Sequence, residues 1–196
     1  MSLDKKQSIL VKRGLEKYPD LIEKLRIGDR KSQFEVYKKY YKAMYNTAYR
    51  IVNNSGEAED LMQDSFLDAF EKIGQYNGGA TFGAWLKKIV INNSINLQRK
   101  KMPLVPIENE EIEVGHNQEE SHLDILSYKI DEIRQAIENL PENYRIIISL
   151  YLLEGYDHEE ISQILDISYD NSRTRYSRAR QRLLHDLKER KKTPVR

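Results

Sequence analysis

Residues 156–184 read YDHEEISQILDISYDNSRTRYSRARQRLL, a pattern that accommodates a helix, a short turn and a second helix, and little else. Asp157 stands where an N-cap belongs, Glu160 three places on completes a capping box, and Ile161, Ile164 and Leu165 follow at helical spacing. DIS makes the turn, and Ser168 is placed to cap the helix after it. Projected at about 100° per residue, that second helix carries Ser172, Tyr176, Ala179, Leu183 and Leu187 on one side. Thr174, Arg178, Gln181 and His185 fall opposite, with Arg173, Arg175 and Arg182 flanking them.

An arginine-rich helix by itself is as often a solvated face or a dock for an acidic protein. Preceded by a capped helix and a three-residue turn, it reads instead as the second member of a helix-turn-helix. A duplex major groove admits one α-helix, whose arginines reach guanine edges in the centre and phosphates on both walls. The segment is therefore expected to face DNA.

The rest of the chain is expected to be helical too. Of 196 residues, 32% are charged and 39% hydrophobic, with only 9 Gly and 5 Pro, which suits helical bundles better than a sandwich or a disordered chain. There is no cysteine, which excludes disulfides, thiolate zinc sites and a cysteine nucleophile. The opening MSLDKKQSILVKRGLEKYPD intersperses charges among its apolar residues, unlike a signal peptide, and no apolar run reaches spanning length. A cytoplasmic protein without membrane insertion is expected.

In the N-terminal half, Phe34, Tyr37, Tyr41, Met44, Ala48 and Ile51 form one helical stripe, which NNSGEAED interrupts. A second helix from about Glu57 turns Ala58, Leu61, Met62, Ser65, Phe66, Ala69 and Ile73 inward, while Glu57, Asp60, Asp64, Asp68 and Glu71 line another face. After the turn signal QYNGGAT, a third helix from about Phe82 carries Trp85, Leu86, Ile89 and Val90 and ends in QRKK. Trp85, in register with Ile89, reads as core rather than as a base-stacking platform. Further on, Ile130, Ile133, Ile137 and Leu140 make another stripe, and LPENY starts a helix that Gly155 ends.

The net charge of +1 conceals strong segregation. Charges from Ile51 to Glu71 are all acidic, from Lys72 to Lys101 all basic, and from Met102 to Tyr128 acidic again, with seven carboxylates and no Lys or Arg. Such blocks imply distinct partners for distinct segments. MPLVPIENEEIEVGHNQEESH has no sustained helical period and reads as a linker. The expected organisation is all-α: an N-terminal extension at 1–27, a helical domain at 28–101, an acidic linker at 102–127, a helix-turn-helix domain at 128–190 and a basic tail at 191–196.

These motifs carry a resemblance. LPENYRIIISLYLLEGYDHEEISQILDISYDNSRTRYSRARQRLL resembles the −35-binding domain of bacterial extracytoplasmic-function (ECF, group 4) sigma factors of RNA polymerase. EAEDLMQDSFLDAF resembles the helix by which that family docks on the polymerase, and NGGATFGAWLKKIVINNSINLQRKK its −10-element segment. The resemblance spans about Phe34 to Leu187. Asp166 stands where the family often has the turn glycine, Ser172 where it often has valine, and Ile91 and Asn96 where it often has arginine and aspartate.

The resemblance implies a sigma factor that binds core RNA polymerase and directs promoter recognition, DNA melting and transcription initiation. Asp60, Gln63, Asp64 and Phe66 would contact the polymerase β′ clamp, and the second domain would work beside the flap. Arg173, Thr174, Arg175, Arg178, Gln181 and Arg182 would read the −35 element. For the −10 element the candidates are Tyr76, Asn77 and Gly78, where an aromatic, an amide and an open backbone suit single-strand capture, with Lys88, Asn92, Asn96 and Arg99 on one approximate helix face. Without the resemblance those asparagines read as polar surface. The linker would thread toward the polymerase cleft, and an anti-sigma factor is a further partner the family allows.

No catalytic constellation, cofactor pattern or metal-ligand spacing is defensible. His116 and His122 lie in the acidic linker, and DHEE lacks the second histidine of a zinc-protease helix. The protein is expected to perform no covalent chemistry. The alternative is a helix-turn-helix regulator that binds duplex DNA without polymerase, which would need a dimer surface or sensor domain.

Overall fold

The structure is a computed structural model that describes residues 19–101 and 128–192. The acidic linker at 102–127, with every expectation placed on it, lies outside the described residues. The chain divides into two compact units, the break falling between Leu97 and Gln98. Each is all helix, and among the described residues there is no strand.

In the first unit α1 (Pro19–Arg26), α2 (Arg30–Val52), α3 (Ser55–Glu71) and all but the last turn of α4 (Phe82–Lys101) follow one another, with a 3-10 turn at Ile73–Gln75. Asp29 starts α2, its carboxylate accepting from Ser32 N at 2.9 Å and Ser32 Oγ at 2.6 Å. Two asparagines then reverse the chain. Asn53 closes α2 in the left-handed conformation (φ 52°), and Asn54 Oδ1 caps α3 by accepting from Glu57 N at 3.1 Å. A connection this short lays α3 antiparallel along α2, forming an αα-hairpin. The inward residues expected on α3 from Ala58 to Ala69, and Ile73 beyond it, are buried.

The expected extension at 1–27 is corrected in part: α1 packs into this unit, with Leu25 1% exposed. Arg26 Nη2 donates to the Tyr76 carbonyl at 3.2 Å, so α1 also braces the loop before α4. Leu21, Ile22 and Leu25 span too short a run among charges to set a helical period. Phe34 and Ile130, each the first member of an expected stripe, are exposed, because a helix end overhangs the element it packs on.

The second unit holds α5 (Ile130–Glu138), α6 (Glu142–Ile148), α7 (His158–Leu165) and α8 (Tyr169–Lys192). Pro141 precedes α6, which widens into one π turn at Ser149–Leu153. That turn brings Tyr151 against His158 (ring centroids 4.7 Å) and Tyr176 (4.2 Å), an aromatic knot joining α6, α7 and α8. Long α8 packs on α5, α6 and α7 and buries Ser172, Tyr176, Ala179, Leu183, Leu184 and Leu187.

Candidate nucleic-acid and polymerase interfaces

The helix-turn-helix forms as its caps dictate. Glu160 N donates to Asp157 Oδ1 at 2.8 Å and Asp157 N to Glu160 Oε2 at 3.0 Å, completing the box at the start of α7. Asp166 ends α7 in the left-handed region (φ 55°), the conformation that makes glycine common at this turn. Asn171 N then donates to Ser168 Oγ at 3.2 Å, capping α8.

On α8, Arg173 and Thr174 are exposed and Arg178, Gln181 and Arg182 half-buried, all on the side away from the core. Arg182 is engaged by Asp186 one turn on, its Nε 3.0 and 3.3 Å from the two carboxylate oxygens. Arg178 Nε finds no hydrogen-bond partner among the described residues. Arg175 is a correction: it is 9% exposed, its Nε donates to Asn171 Oδ1 at 3.1 Å, and burial lowers its pKa. It sits three residues after Ser172 and four before Ala179, so it shares the packed flank and presents no surface to a groove. Tyr169 was missed. It opens α8 half-exposed, and the Arg173 guanidinium lies 5.9 Å from its ring centre. The Tyr–Arg spacing of four was the available signal.

On α3, Asp60, Gln63 and Asp64 are exposed along one ridge. Phe66 is a second correction. It is 2% exposed, its ring 5.0 Å from Tyr37 and 6.0 Å from Phe70, and it cannot be a surface contact in this fold. Its own periodicity had placed it inward. Leu67, one position on, is the exposed apolar residue of the ridge, in register with Asp60, Gln63 and Asp64.

Before α4, Asn77 Oδ1 accepts from Gly79 N at 3.0 Å and Gly78 adopts φ 78° with its backbone buried, so the loop is a built turn. Tyr76 is the third correction. It is 6% exposed, its hydroxyl donates to the Ala80 carbonyl at 2.7 Å, and its ring meets those of Phe82 (5.7 Å) and Trp85 (5.4 Å). It closes the loop rather than offering a stacking face. Lys88, Asn92 and Asn96 are exposed on α4, and Arg99 lies half-buried in its last turn. Ile91 is fully buried, so the position belongs to the core. Among the described residues no helix is long and apolar enough to cross a membrane, and no three metal-ligating side chains converge.

Comparison with known proteins agrees with this geometry. The Sigma-70 region 2 family matches residues 36–103 and the Sigma-70, region 4 family residues 130–183. The ECF RNA polymerase sigma-E factor of Salmonella typhimurium is 31% identical over 171 residues, covering 82% of this chain and 89% of that protein. The RNA polymerase sigma-H factor of Pseudomonas aeruginosa is 28% identical over 85% of this chain and 91% of that protein. Among solved structures, the sigma factor RpoE in complex with the anti-sigma factor NepR from Bartonella quintana is similar at a TM-score of 0.53 and 26% identity, covering 79% of this chain and 95% of that one. CnrH in complex with the cytosolic domain of CnrY shares the fold at a TM-score of 0.52 and 19% identity, over 86% and 96% of the two chains. With both sigma regions matched in order and a relative above 30% identity spanning most of its length, the chain belongs to the extracytoplasmic-function family of RNA polymerase sigma factors.

Proposed function

We propose that this sigma factor, a group 4 member working in the cytoplasm, docks on the β′ clamp of core polymerase through Asp60, Gln63 and Asp64. The second unit, seated beside the flap, reads the −35 element with Arg173, Thr174, Arg178, Gln181 and Arg182. Asn77 and Gly78, with Lys88, Asn92, Asn96 and Arg99, engage the −10 element. Binding of unstacked non-template bases there offsets strand separation, which is how a protein without covalent chemistry opens DNA. An anti-sigma factor is a further partner, of the kind that NepR is for the similar RpoE of Bartonella quintana.

The observation that carries this reading is the exposed row Asp60, Gln63 and Asp64 on a unit separate from the helix-turn-helix. A regulator acting on duplex DNA alone needs no such row, and complementary charge speeds and registers the docking of a basic partner. Run-off transcription with core polymerase on a genomic library tests class and promoter together. Specific initiation is expected from added protein. Duplex binding as a dimer, with no initiation, would instead favour the regulator.

A further inference from the structure

The arginines of α8 are fixed in different ways. Arg175 is held by Asn171 and Arg182 by Asp186. Arg173 is exposed and, among the described residues, has neither a hydrogen bond nor an ion pair. It has the ring of Tyr169 instead, whose centre lies 5.9 Å from the guanidinium carbon. Side chains on a helix lean toward its N-terminus, so the residue at i+4 lies over the one at i. Tyr169 is itself wedged, its ring meeting that of His158 edge-on at 6.2 Å and 88°. His158 is anchored in turn, stacked on Tyr151 at 4.7 Å and 25°, with Nδ1 3.1 Å from Ser172 Oγ. Burial first and then the Arg173 charge lower the His158 pKa, so the guanidinium lies back over the knot rather than stretched along the helix. A chain of contacts thus runs from the aromatic knot through Tyr169 to a cation on the side of α8 away from the core.

We infer that Tyr169 is a positioning residue for promoter reading: its ring, seated on His158, holds the Arg173 guanidinium toward a base edge of the upstream element without itself touching DNA. The inference rests on the reading of α8 as the −35 helix. The first turns of a recognition helix are the part that reaches base edges, and Tyr169 and Arg173 occupy those turns. Arginine has the rotamer freedom of a long side chain, and part of that freedom is given up before binding when a ring already holds the guanidinium. A cation over a ring uses no N–H donor, so the pair of donors that fits guanine O6 and N7 stays available. The ring has little to stack on by itself, since a duplex presents base edges in its major groove and not base faces. Its contribution is therefore position, and it acts through Arg173.

A double-mutant cycle on the polymerase holoenzyme tests this, with binding measured to promoters substituted one base at a time in the upstream element and melting temperature as the control for folding. Arg173→Ala is expected to lose discrimination at one base pair. Tyr169→Leu, which keeps an apolar side chain but no π face, is expected to weaken binding to the preferred promoter by about three- to tenfold and to lose discrimination at that same base pair. Tyr169→Phe, which keeps the ring, is expected to restore both. Added to Arg173→Ala, Tyr169→Leu should weaken binding no further. If Tyr169→Leu weakens binding equally with Arg173 present or removed, Tyr169 touches DNA or only props the helix, and the inference is overturned. If Tyr169→Phe is as weak as Tyr169→Leu, the hydroxyl makes a contact of its own, and the inference is again overturned. It is overturned too if Tyr169→Leu binds and discriminates as wild type. Those three results leave the −35 reading standing, whereas an Arg173→Ala protein with unchanged binding and preference would remove Arg173 from that reading, and the inference with it.

Discussion

Asn93 Nδ2 donates to the Asp68 carboxylate at 2.9 Å and approaches Ser65 Oγ at 3.1 Å, so one amide in the middle of α4 is tied to the flank of α3. The bond takes Asn93 out of the polar face that Asn92 and Asn96 present. It also takes Asp68 out of the acidic ridge, where Lys72 holds the same carboxylate at 3.3 Å. The hydrogen bond from Asn93, more than the neighbouring lysine, holds the Asp68 pKa below its usual range against a partial desolvation cost. Asn93→Ala is expected to destabilise the first unit by about 1–2 kcal/mol, the partly exposed carboxylate keeping the figure modest. Because the folded pKa is lowered, this contribution is complete above about pH 4 and is lost as pH falls through the folded value. Urea unfolding of wild type and variant at pH 7 and pH 3 checks both: the difference between them should shrink at the lower pH.

Asp166 is the one residue of the helix-turn-helix turn in the left-handed region, and Ile167 N donates to the Ser162 carbonyl at 3.0 Å behind it. An aspartate tolerates this conformation and a glycine adopts it without strain, whereas a β-branched side chain does not. Asp166→Gly is expected to leave the second unit as stable as wild type or up to about 1 kcal/mol more stable. Asp166→Val should cost about 1–3 kcal/mol. Thermal melts that ranked valine with glycine would show that the turn is not held in this conformation.

Much of this architecture was legible because local chemistry and global packing agree. The Asp157–Glu160 box, the Ser168 cap and the inward set Ser172, Tyr176, Ala179, Leu183 and Leu187 all stand where period and capping rules place them. What escaped was side-chain reach. Arg175 lies on the border of the packed face, and only the fold shows its stem covered and its Nε held by Asn171. Family likeness and chemical type point to Phe66 and Tyr76, but aromatics next to a core are claimed by the core when a ring such as Tyr37 or Trp85 is within reach. Pairing across elements, as in Asn93 with Asp68, leaves no periodic trace in a single sequence.

His158 joins the aromatic knot of the second unit, its Nδ1 3.1 Å from Ser172 Oγ and its ring 5.5 Å from that of Tyr176. Burial first, then the charge of Arg173, pushes its pKa down, while Asp157 opposes. The neighbouring Tyr176 is pushed up to about 12 by burial, so it stays neutral throughout the range of interest. A histidine with a lowered folded pKa contributes full stability above its ordinary value and loses it as pH falls below about 6.5, where the unfolded chain binds the proton first. The second unit is therefore expected to lose stability as pH falls through the window between about 6.5 and the range of ordinary carboxylates. His158→Gln should be less stable at pH 7.5 yet flat across that window. A variant with the same slope as wild type would place the acid sensitivity elsewhere.

Arg175 and Arg178 stand three residues apart on α8 with opposite environments, and they should fail in opposite ways. Arg178 lies away from the core, so Arg178→Ala should leave the melting temperature near that of wild type. It should weaken binding to the preferred upstream element by about 1–3 kcal/mol if its guanidinium makes a bidentate contact to a guanine edge, with relaxed preference at that base. Arg175→Ala should instead lower the stability of the second unit, because it uncovers packed surface and releases the Asn171 side chain, and whatever DNA binding the folded fraction keeps should retain its base preference. Competition binding of the polymerase holoenzyme to promoters mutated one base at a time in the upstream element, run beside thermal melts, separates the two. Equal weakening by Arg178→Ala on every sequence would make Arg178 a phosphate contact, and a base-specific loss from a fully stable Arg175→Ala protein would return Arg175 to the groove.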